Sequence, residues 1–318
     1  MRRIVLILGL LVGSGALAAP ADLEVQGHRG ARARWPENTL AAFRYALEVG
    51  VDTLELDVAV TRDDRLVVSH DLRVPTALCQ RADGQPLPEG LAIRALTLAE
   101  VQALDCGSKR HPRFPEQQLV PGERMPTLEQ VFALVEASPA KSARAVRFNV
   151  ETKLVPGEPE LGPSPQRFAE LVLAAVDRAG MRARVTVQSF DHRTLRALAA
   201  LAPDLHTVAL VEECLPDLVA VARAAGATTV SPNHLWITED DVARLHAAGL
   251  RVVPWTANEP VQWQRLLALA VDGIITDDPE RLLAWLRLNG RTQRPSPVGD
   301  KAIERVPSSR TKGTIGTP

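Results

Sequence analysis

At 318 residues and 46% hydrophobic, the chain holds enough apolar material for a large core, arranged either as two small domains or as one α/β barrel. Its 37 basic and 38 acidic side chains leave a formal charge of −1, which gives no electrostatic case for nucleic acid or an anionic membrane as partner.

Residues 1–18 read as a secretory signal: Arg2 and Arg3, an apolar run from Ile4 to Val12, then Ala16-Leu17-Ala18 as a small-x-small cleavage site. The run is too short for a spanning helix, and no later segment reads as one. Cleavage would leave 35 basic against 38 acidic groups, a formal charge of −3, on a chain exported across the inner membrane to a periplasmic or extracellular location. The three cysteines lack metal-site spacing. In an oxidising compartment Cys79 and Cys106, which share one irregular segment, are the pair available for a disulfide, leaving Cys214 as a buried thiol.

Leu23 to Gln26 predicts a short strand ending at Gly27. A helix follows from Asn38 or Thr39, with Leu40, Phe43 and Leu47 on one stripe and Gly50 past its end. Thr53 to Val60 alternates: Leu54, Leu56 and Val58 face one way, Glu55 and Asp57 the other. Two carboxylates side by side on the inner face of an apolar strand call for a reason. If Asp63-Asp64 forms a two-residue hairpin loop, the register sets Asp57 opposite His70.

Residues 72–126 break the pattern with many prolines and glycines, one short helical piece from Thr97 to Leu104, and both of those cysteines; they read as an excursion, a lid or substrate-side wall. Regular units then return. Thr127 caps a helix to Ala137, and Val146 to Val150 is a strand running into Glu151-Thr152-Lys153. The series continues with helix Pro165–Ala179, strand Val185–Val187, helix Thr194–Leu201, strand Thr207–Val211 and a helix to Ala225. Strand Thr228–Val230, helix Thr238–Ala248, strand Arg251–Pro254, a helix to Ala270, strand Ile274–Ile275 and helix Pro279–Leu288 complete it. Eight βα units in about 270 residues predict a (β/α)8 TIM barrel over 19–289 with an inserted irregular segment after strand 2. No Gly-rich phosphate loop supports the competing open doubly wound sheet. The tail 290–318, polar and Pro/Gly-containing, is expected to be disordered.

In such a barrel the strand ends and the loops after them form the active face. His28, Glu55, Asp57, Glu151, Gln188 and Trp255 all fall there. Glu55, Asp57 and Glu151 suggest a carboxylate cage for one hard divalent cation, Ca²⁺ or Mg²⁺, since three adjacent buried acids would otherwise repel; the competing reading is salt bridging to Lys153 or Arg147. His28 and His70, pointed at the same acids, suit a proton acceptor and a proton donor. His111, His192, His206, His234 and His246 have no such company. Arg29 suits paired donation to a phosphate and Lys153 a point charge, or either serves as a framework ion pair. Glu37 and Asn38 either cap the helix or support His28 or the metal from behind. Trp255 either lines a pocket for an alcohol group or packs in the core.

These residues resemble the glycerophosphodiester phosphodiesterase family. The likeness rests on His28-Arg29-Gly30, Pro36-Glu37-Asn38-Thr39, Glu55-Leu56-Asp57, His70-Asp71, Glu151-Thr152-Lys153, Gln188-Ser189-Phe190, Trp255-Thr256 and Asp272-Gly273-Ile274-Ile275-Thr276-Asp277, spanning residues 25–289. It implies a metal-dependent barrel that cleaves small-molecule glycerophosphodiesters to sn-glycerol 3-phosphate and an alcohol. It places catalysis on His28 and His70, phosphate binding on Arg29 and Lys153, and metal ligation on Glu55, Asp57 and Glu151. The expected route is attack by the glycerol 2-hydroxyl through a cyclic phosphate, with direct attack by water as the alternative. Activity on lysolipids, or phosphodiester binding without turnover, are the rival functions.

Overall fold

A computed structural model describes residues 22–293; the signal segment 1–18 and most of the tail lie outside the described residues. Among the described residues, eight parallel barrel strands alternate with eight helices. In chain order they are β1 (Asp22–Gly27), α1 (Leu40–Val49), β2 (Thr53–Val60), the antiparallel β3 (Leu66–Val68), α2 (Leu128–Ala137), β4 (Arg147–Thr152), α3 (Pro165–Arg178), β5 (Val185–Ser189), α4 (His192–Leu201), β6 (His206–Val211), α5 (Leu218–Ala225), β7 (Thr229–Pro232), α6 (Glu239–Ala247), β8 (Arg251–Val252), α7 (Pro260–Ala268), β9 (Gly273–Thr276) and α8 (Pro279–Leu288). The sheet runs β8-β7-β6-β5-β4-β2-β1-β9. Beyond the end of β8 the main chain closes the ring: Ile275 N–H donates to the Pro254 carbonyl, and Ala257 N–H to that of Ile275, each at 3.0 Å.

Most helices start on a side-chain acceptor. Thr39, Thr127, Ser164, Asp191, Asp217, Thr238 and Asp278 each accept a backbone N–H of the first turn, satisfying a donor the helix itself leaves open. Every residue of β2 is buried. Its Leu54, Leu56 and Val58 pack outward into a core with Phe43 and Leu47 of α1 and Leu128, Val131 and Phe132 of α2, while Glu55 and Asp57 are left facing the barrel axis. Full burial of each such aliphatic side chain contributes about 1.5–3 kcal/mol, so the outward face anchors what the inward face presents. A second cluster around Val25, Trp263, Ile274 and Leu282 covers the other half of the ring.

The excursion is more regular than its composition suggests. Gln80–Arg81 pairs antiparallel with Leu104–Asp105, Leu98–Gln102 is a short helix with a Thr97–Glu100 capping box, and Cys79 and Cys106 form a disulfide. The disulfide sits in a third apolar cluster with Val74, Ile93, Val101 and Met125. Cys214, expected to be buried, is exposed. Thr292–Gln293, at the start of the tail read as disordered, pair with Asp22–Leu23.

The hairpin register differs from the expected one. Val58 pairs with Val68 and Val60 with Leu66, so Asp57 stands opposite Ser69, whose N–H donates to the Asp57 carbonyl at 3.0 Å. The loop has three residues, not two: Thr61 N–H bonds to the Arg65 carbonyl, and Asp64 takes the left-handed conformation (φ 55°) that closes such a loop. His70 therefore lies one residue beyond the pairing, at the mouth.

Candidate active site

The turn after β1 sets the site. Gly30 N–H donates to the Gly27 carbonyl, and both Arg29 (φ 50°) and Gly30 (φ 87°) are left-handed. A Cβ on Gly27 would lie 2.2 Å from the Gly30 carbonyl oxygen, and one on Gly30 2.8 Å from the Ala42 carbonyl carbon, so neither position admits a side chain. The tight turn points Arg29 N–H at Glu55 Oε2, 2.8 Å away. Asn38, also left-handed (φ 57°), donates from Nδ2 to Asp57 Oδ2 at 2.8 Å. Pro36-Glu37-Asn38-Thr39 thus caps a helix through Thr39 and reaches the acids through Asn38.

The barrel axis is polar at this level. Asn149 Nδ2 donates to Gln26 Oε1 (2.9 Å) and Gln188 Oε1 (2.8 Å), which turns the Gln188 amide so that Nε2 donates to Glu55 Oε1 at 2.7 Å. Glu55, Asp57 and Glu151 each offer an oxygen within 4.8 Å of the others, all three buried. Burial first, then Asp57 and Glu151, pushes Glu55 well above the ordinary carboxylate range. Burial likewise raises Glu151, against the pull of Lys153. Asp57 goes the other way, because Lys153 and Arg29 outweigh the cost of its burial. Lys153 Nζ lies 2.5 Å from Glu151 and 3.1 Å from Asp57 Oδ1, and these acids raise its pKa against burial. Of the two framework readings, Lys153 does pair with the acids; Arg147 instead pairs with Glu24, on β1.

The acids fit a hard cation. The donor set is all oxygen, and Asp57 Oδ1 is buried with no hydrogen bond, only the Lys153 ammonium 3.1 Å away. Oxygens at about 2.0–2.6 Å from one Mg²⁺ or Ca²⁺ ion stand at most about 5 Å apart, which the 4.8 Å spread satisfies.

His28, Arg29, Glu55, His70, Glu151, Lys153, Gln188 and Trp255 border one pocket. Trp255 donates from Nε1 to the Ser231 carbonyl (2.9 Å) and meets the edge of Phe190, so it is pinned as a wall. His70 is part-exposed, with Nδ1 2.7 Å from Asp71 Oδ1. At His70, Glu151, Lys153 and Phe190 the pocket opens into a larger groove between Leu72–Ala77 of the excursion and the loop after β4.

Two residues matter here that sequence reasoning left without a role. Asp277, at the end of β9, lies 2.5 Å from His28 Nδ1, and its other oxygen accepts from Asn258 Nδ2 at 2.8 Å. Nδ1 therefore carries the hydrogen, and Nε2 faces the acids, 4.0 Å from Glu55 Oε2. Burial lowers His28 to about 4, against Asp277, which raises it; the ring is neutral near pH 7. The same strand-end rule that singled out His28 also points to Asp277. His111, read as having no company, approaches Glu37 Oε2 at 3.4 Å from the excursion. Glu37 in turn holds Arg29 (2.7 Å) and Arg32 (2.7 Å), which outweigh its burial and keep it ionised.

The sequence profile of the glycerophosphoryl diester phosphodiesterase family matches residues 28–281. A glycerophosphodiester phosphodiesterase of Caldanaerobacter subterraneus subsp. tengcongensis is 33% identical over 271 residues, covering 84% of this chain and 98% of the relative. A solved structure from Silicibacter pomeroyi aligns with TM-score 0.79 at 33% identity, over 86% of this chain and 96% of that one. A phosphodiesterase of Oleispira antarctica, solved in complex with the product sn-glycerol-3-phosphate, shares the fold at TM-score 0.68 and 22% identity, over 83% and 96% of the two chains.

Proposed function

Because the chain belongs to the glycerophosphoryl diester phosphodiesterase family, we propose that it hydrolyses glycerophosphodiesters to sn-glycerol 3-phosphate and an alcohol. The observation that carries this reading is one pocket bordered by two histidines, two cations and two members of the acidic triad, with the third, Asp57, alongside.

Glu55, Asp57 and Glu151 would hold one Ca²⁺ or Mg²⁺ ion, which polarises a phosphoryl oxygen and neutralises its charge. Arg29, held on one side by Glu37 and on the other by Asp57 (Nε 3.3 Å from Oδ2), keeps a fixed orientation toward a phosphate. Lys153 adds a second positive charge, and Trp255 bounds the glycerol or alcohol group. Glu37, Asn38 and Gln188 fix Arg29, Asp57 and Glu55 respectively.

His28 is the base. Its Nδ1–H is donated to Asp277, so Nε2 takes the proton of the glycerol 2-hydroxyl as that oxygen attacks phosphorus. The His28 imidazolium so formed is paired by Asp277. His70 is the acid: it borders both the pocket and the groove, and gives its proton to the alcohol oxygen as the P–O bond breaks. Water then opens the cyclic phosphate with the roles reversed, its proton going to His70 while His28 returns one to the 2-oxygen. A substrate lacking the 2-hydroxyl separates this route from direct attack by water: turnover stops on the cyclic route and persists on the other.

The Cys79–Cys106 disulfide supports an oxidising compartment, consistent with export of a mature 19–289 barrel to the periplasm or beyond. Among the described residues no helix is long and apolar enough to cross a membrane. A second reading, lysolipid hydrolysis, is favoured by Val155 and Phe190, exposed large apolar residues that line the groove. Incubation with glycerophosphocholine tests the main reading, with release of sn-glycerol 3-phosphate expected and its absence overturning it. A higher rate on lysophosphatidylcholine would replace it with the second.

A further inference from the structure

Three residues of the excursion, spaced three apart, grip the loop that carries Arg29 and Glu37. Gln117 Nε2 donates to the carbonyls of Arg32 (2.7 Å) and Trp35 (2.9 Å), bracketing the loop from below Glu37. Phe114 lies under the Arg32 guanidinium, 5.2 Å from the ring centroid. His111 is buried and reaches Glu37 itself.

The imidazole of His111 has a defined state. Arg113 N–H donates to Nδ1 at 3.0 Å, so Nδ1 is an acceptor and the ring hydrogen sits on Nε2. Nε2–H then has nothing to gain from the Arg32 guanidinium 3.1 Å away, which is itself a donor. Both flank Glu37 Oε2, at 3.4 Å and 2.7 Å, as close polar contacts on a buried oxygen that has no aligned hydrogen bond of its own. The opposite oxygen, Oε1, accepts from Arg29 NH1 at 2.7 Å. Confining Oε2 between these two groups limits rotation of the carboxylate, and with it the direction in which Oε1 holds the guanidinium.

We propose that His111 is a positioning residue: carried by the excursion and not by the barrel, it orients Arg29 for the substrate phosphate by clamping Glu37. This rests on the reading of Arg29 as a phosphate-binding group. The excursion is then part of the phosphate clamp as well as a wall of the groove, and the Cys79–Cys106 disulfide, in the cluster beneath it, holds the clamp in place.

The test compares His111→Ala and His111→Gln with the wild-type full chain on glycerophosphocholine, and measures inhibition by sn-glycerol 3-phosphate. The phosphodiester is already charged before reaction, so a loosened Arg29 weakens ground-state and transition-state binding alike. For His111→Ala we expect KM and the inhibition constant to rise together by about tenfold, with kcat changed less than about threefold. His111→Gln, whose amide can still place a polar N–H beside Glu37, should recover most of both. Unchanged KM and inhibition constant in His111→Ala would overturn the proposal, as would equal effects from Ala and Gln. A purely structural role would lower melting temperature and active fraction without moving KM. If the wild type releases no glycerol 3-phosphate, the proposed function fails first; calorimetric titration with sn-glycerol 3-phosphate then still reads the clamp, a roughly tenfold weaker Kd in His111→Ala supporting it and equal Kd values overturning it.

Discussion

Replacing Asp277 by Asn tests whether His28 is a base prepared by its neighbour. The carboxylate serves two donors at once: Oδ1 lies 2.5 Å from His28 Nδ1, and Oδ2 accepts from Asn258 Nδ2 at 2.8 Å. An amide has one acceptor oxygen. If it keeps Asn258, its NH₂ faces His28 Nδ1 and drives the ring hydrogen to Nε2, the wrong tautomer for a base; if it keeps His28, two amide donors face each other. Loss of one charge-assisted hydrogen bond costs about 1.5–3 kcal/mol, or roughly 10- to 100-fold in rate. The imidazolium formed during proton transfer also loses its counter-charge in a buried site, which extends the loss toward the ~10²–10⁴-fold range of general acid–base catalysis. We therefore expect kcat to fall about 10²-fold or more with KM nearly unchanged, measured as initial release of glycerol 3-phosphate under saturating metal. A loss smaller than about threefold in a folded variant would refute the assignment of Asp277 as the group that sets the His28 tautomer.

The acidic triad makes a different kind of prediction. Glu55→Gln removes one carboxylate of the triad and turns an amide N–H₂ toward either Arg29 N–H or Gln188 Nε2, so activity should fall more than about 100-fold at saturating metal in a variant that calorimetry shows to be folded; activity within about threefold of wild type would contradict the metal assignment. Glu24, buried on β1, is held at about 2 instead of its ordinary 4.5: burial would raise it, but Arg251 and Arg147 outweigh that. A folded-state pKa below the unfolded one contributes stability that is full above pH 4.5 and lost as pH falls toward 2, up to about 3 kcal/mol. In denaturant titrations Glu24→Gln should be destabilised at pH 7 and show a flatter dependence across that window; an unchanged acid slope would contradict the pairing. Opening the Cys79–Cys106 loop of 27 residues by double Ser substitution should cost about 3.5 kcal/mol on the chain-entropy estimate, read by the same titrations, and raise KM through the loosened excursion.

What the sequence disclosed followed from local periodicity. The alternation of Thr53–Val60 turns Glu55 and Asp57 to the axis because the outward face, Leu54, Leu56, Val58 and Val60, has helices to bury against, and that pattern is visible without coordinates. Strand-end placement then gathers His28, Glu151, Gln188 and Trp255. The hairpin register was not legible, since Asp63-Asp64 suits a two-residue turn as well as the observed three-residue loop, and only the left-handed Asp64 separates them. His111 was invisible for a related reason: the path of the excursion is set by the Cys79–Cys106 cluster and by contacts such as Gln117 with Arg32, which no repeat announces. Asp277 is 249 residues from His28, and ring closure between β1 and β9 is what joins them.

A metal-assisted phosphodiesterase working through His28 depends on both the ion and the imidazole. Release of sn-glycerol 3-phosphate from glycerophosphocholine, measured before and after chelation, after return of Ca²⁺ or Mg²⁺, and beside His28→Ala, tests it most directly. Activity should be lost on chelation and recovered with the ion, and the variant should stay inactive with metal present. Activity that survives the chelator, or a His28→Ala enzyme as fast as wild type, would contradict it.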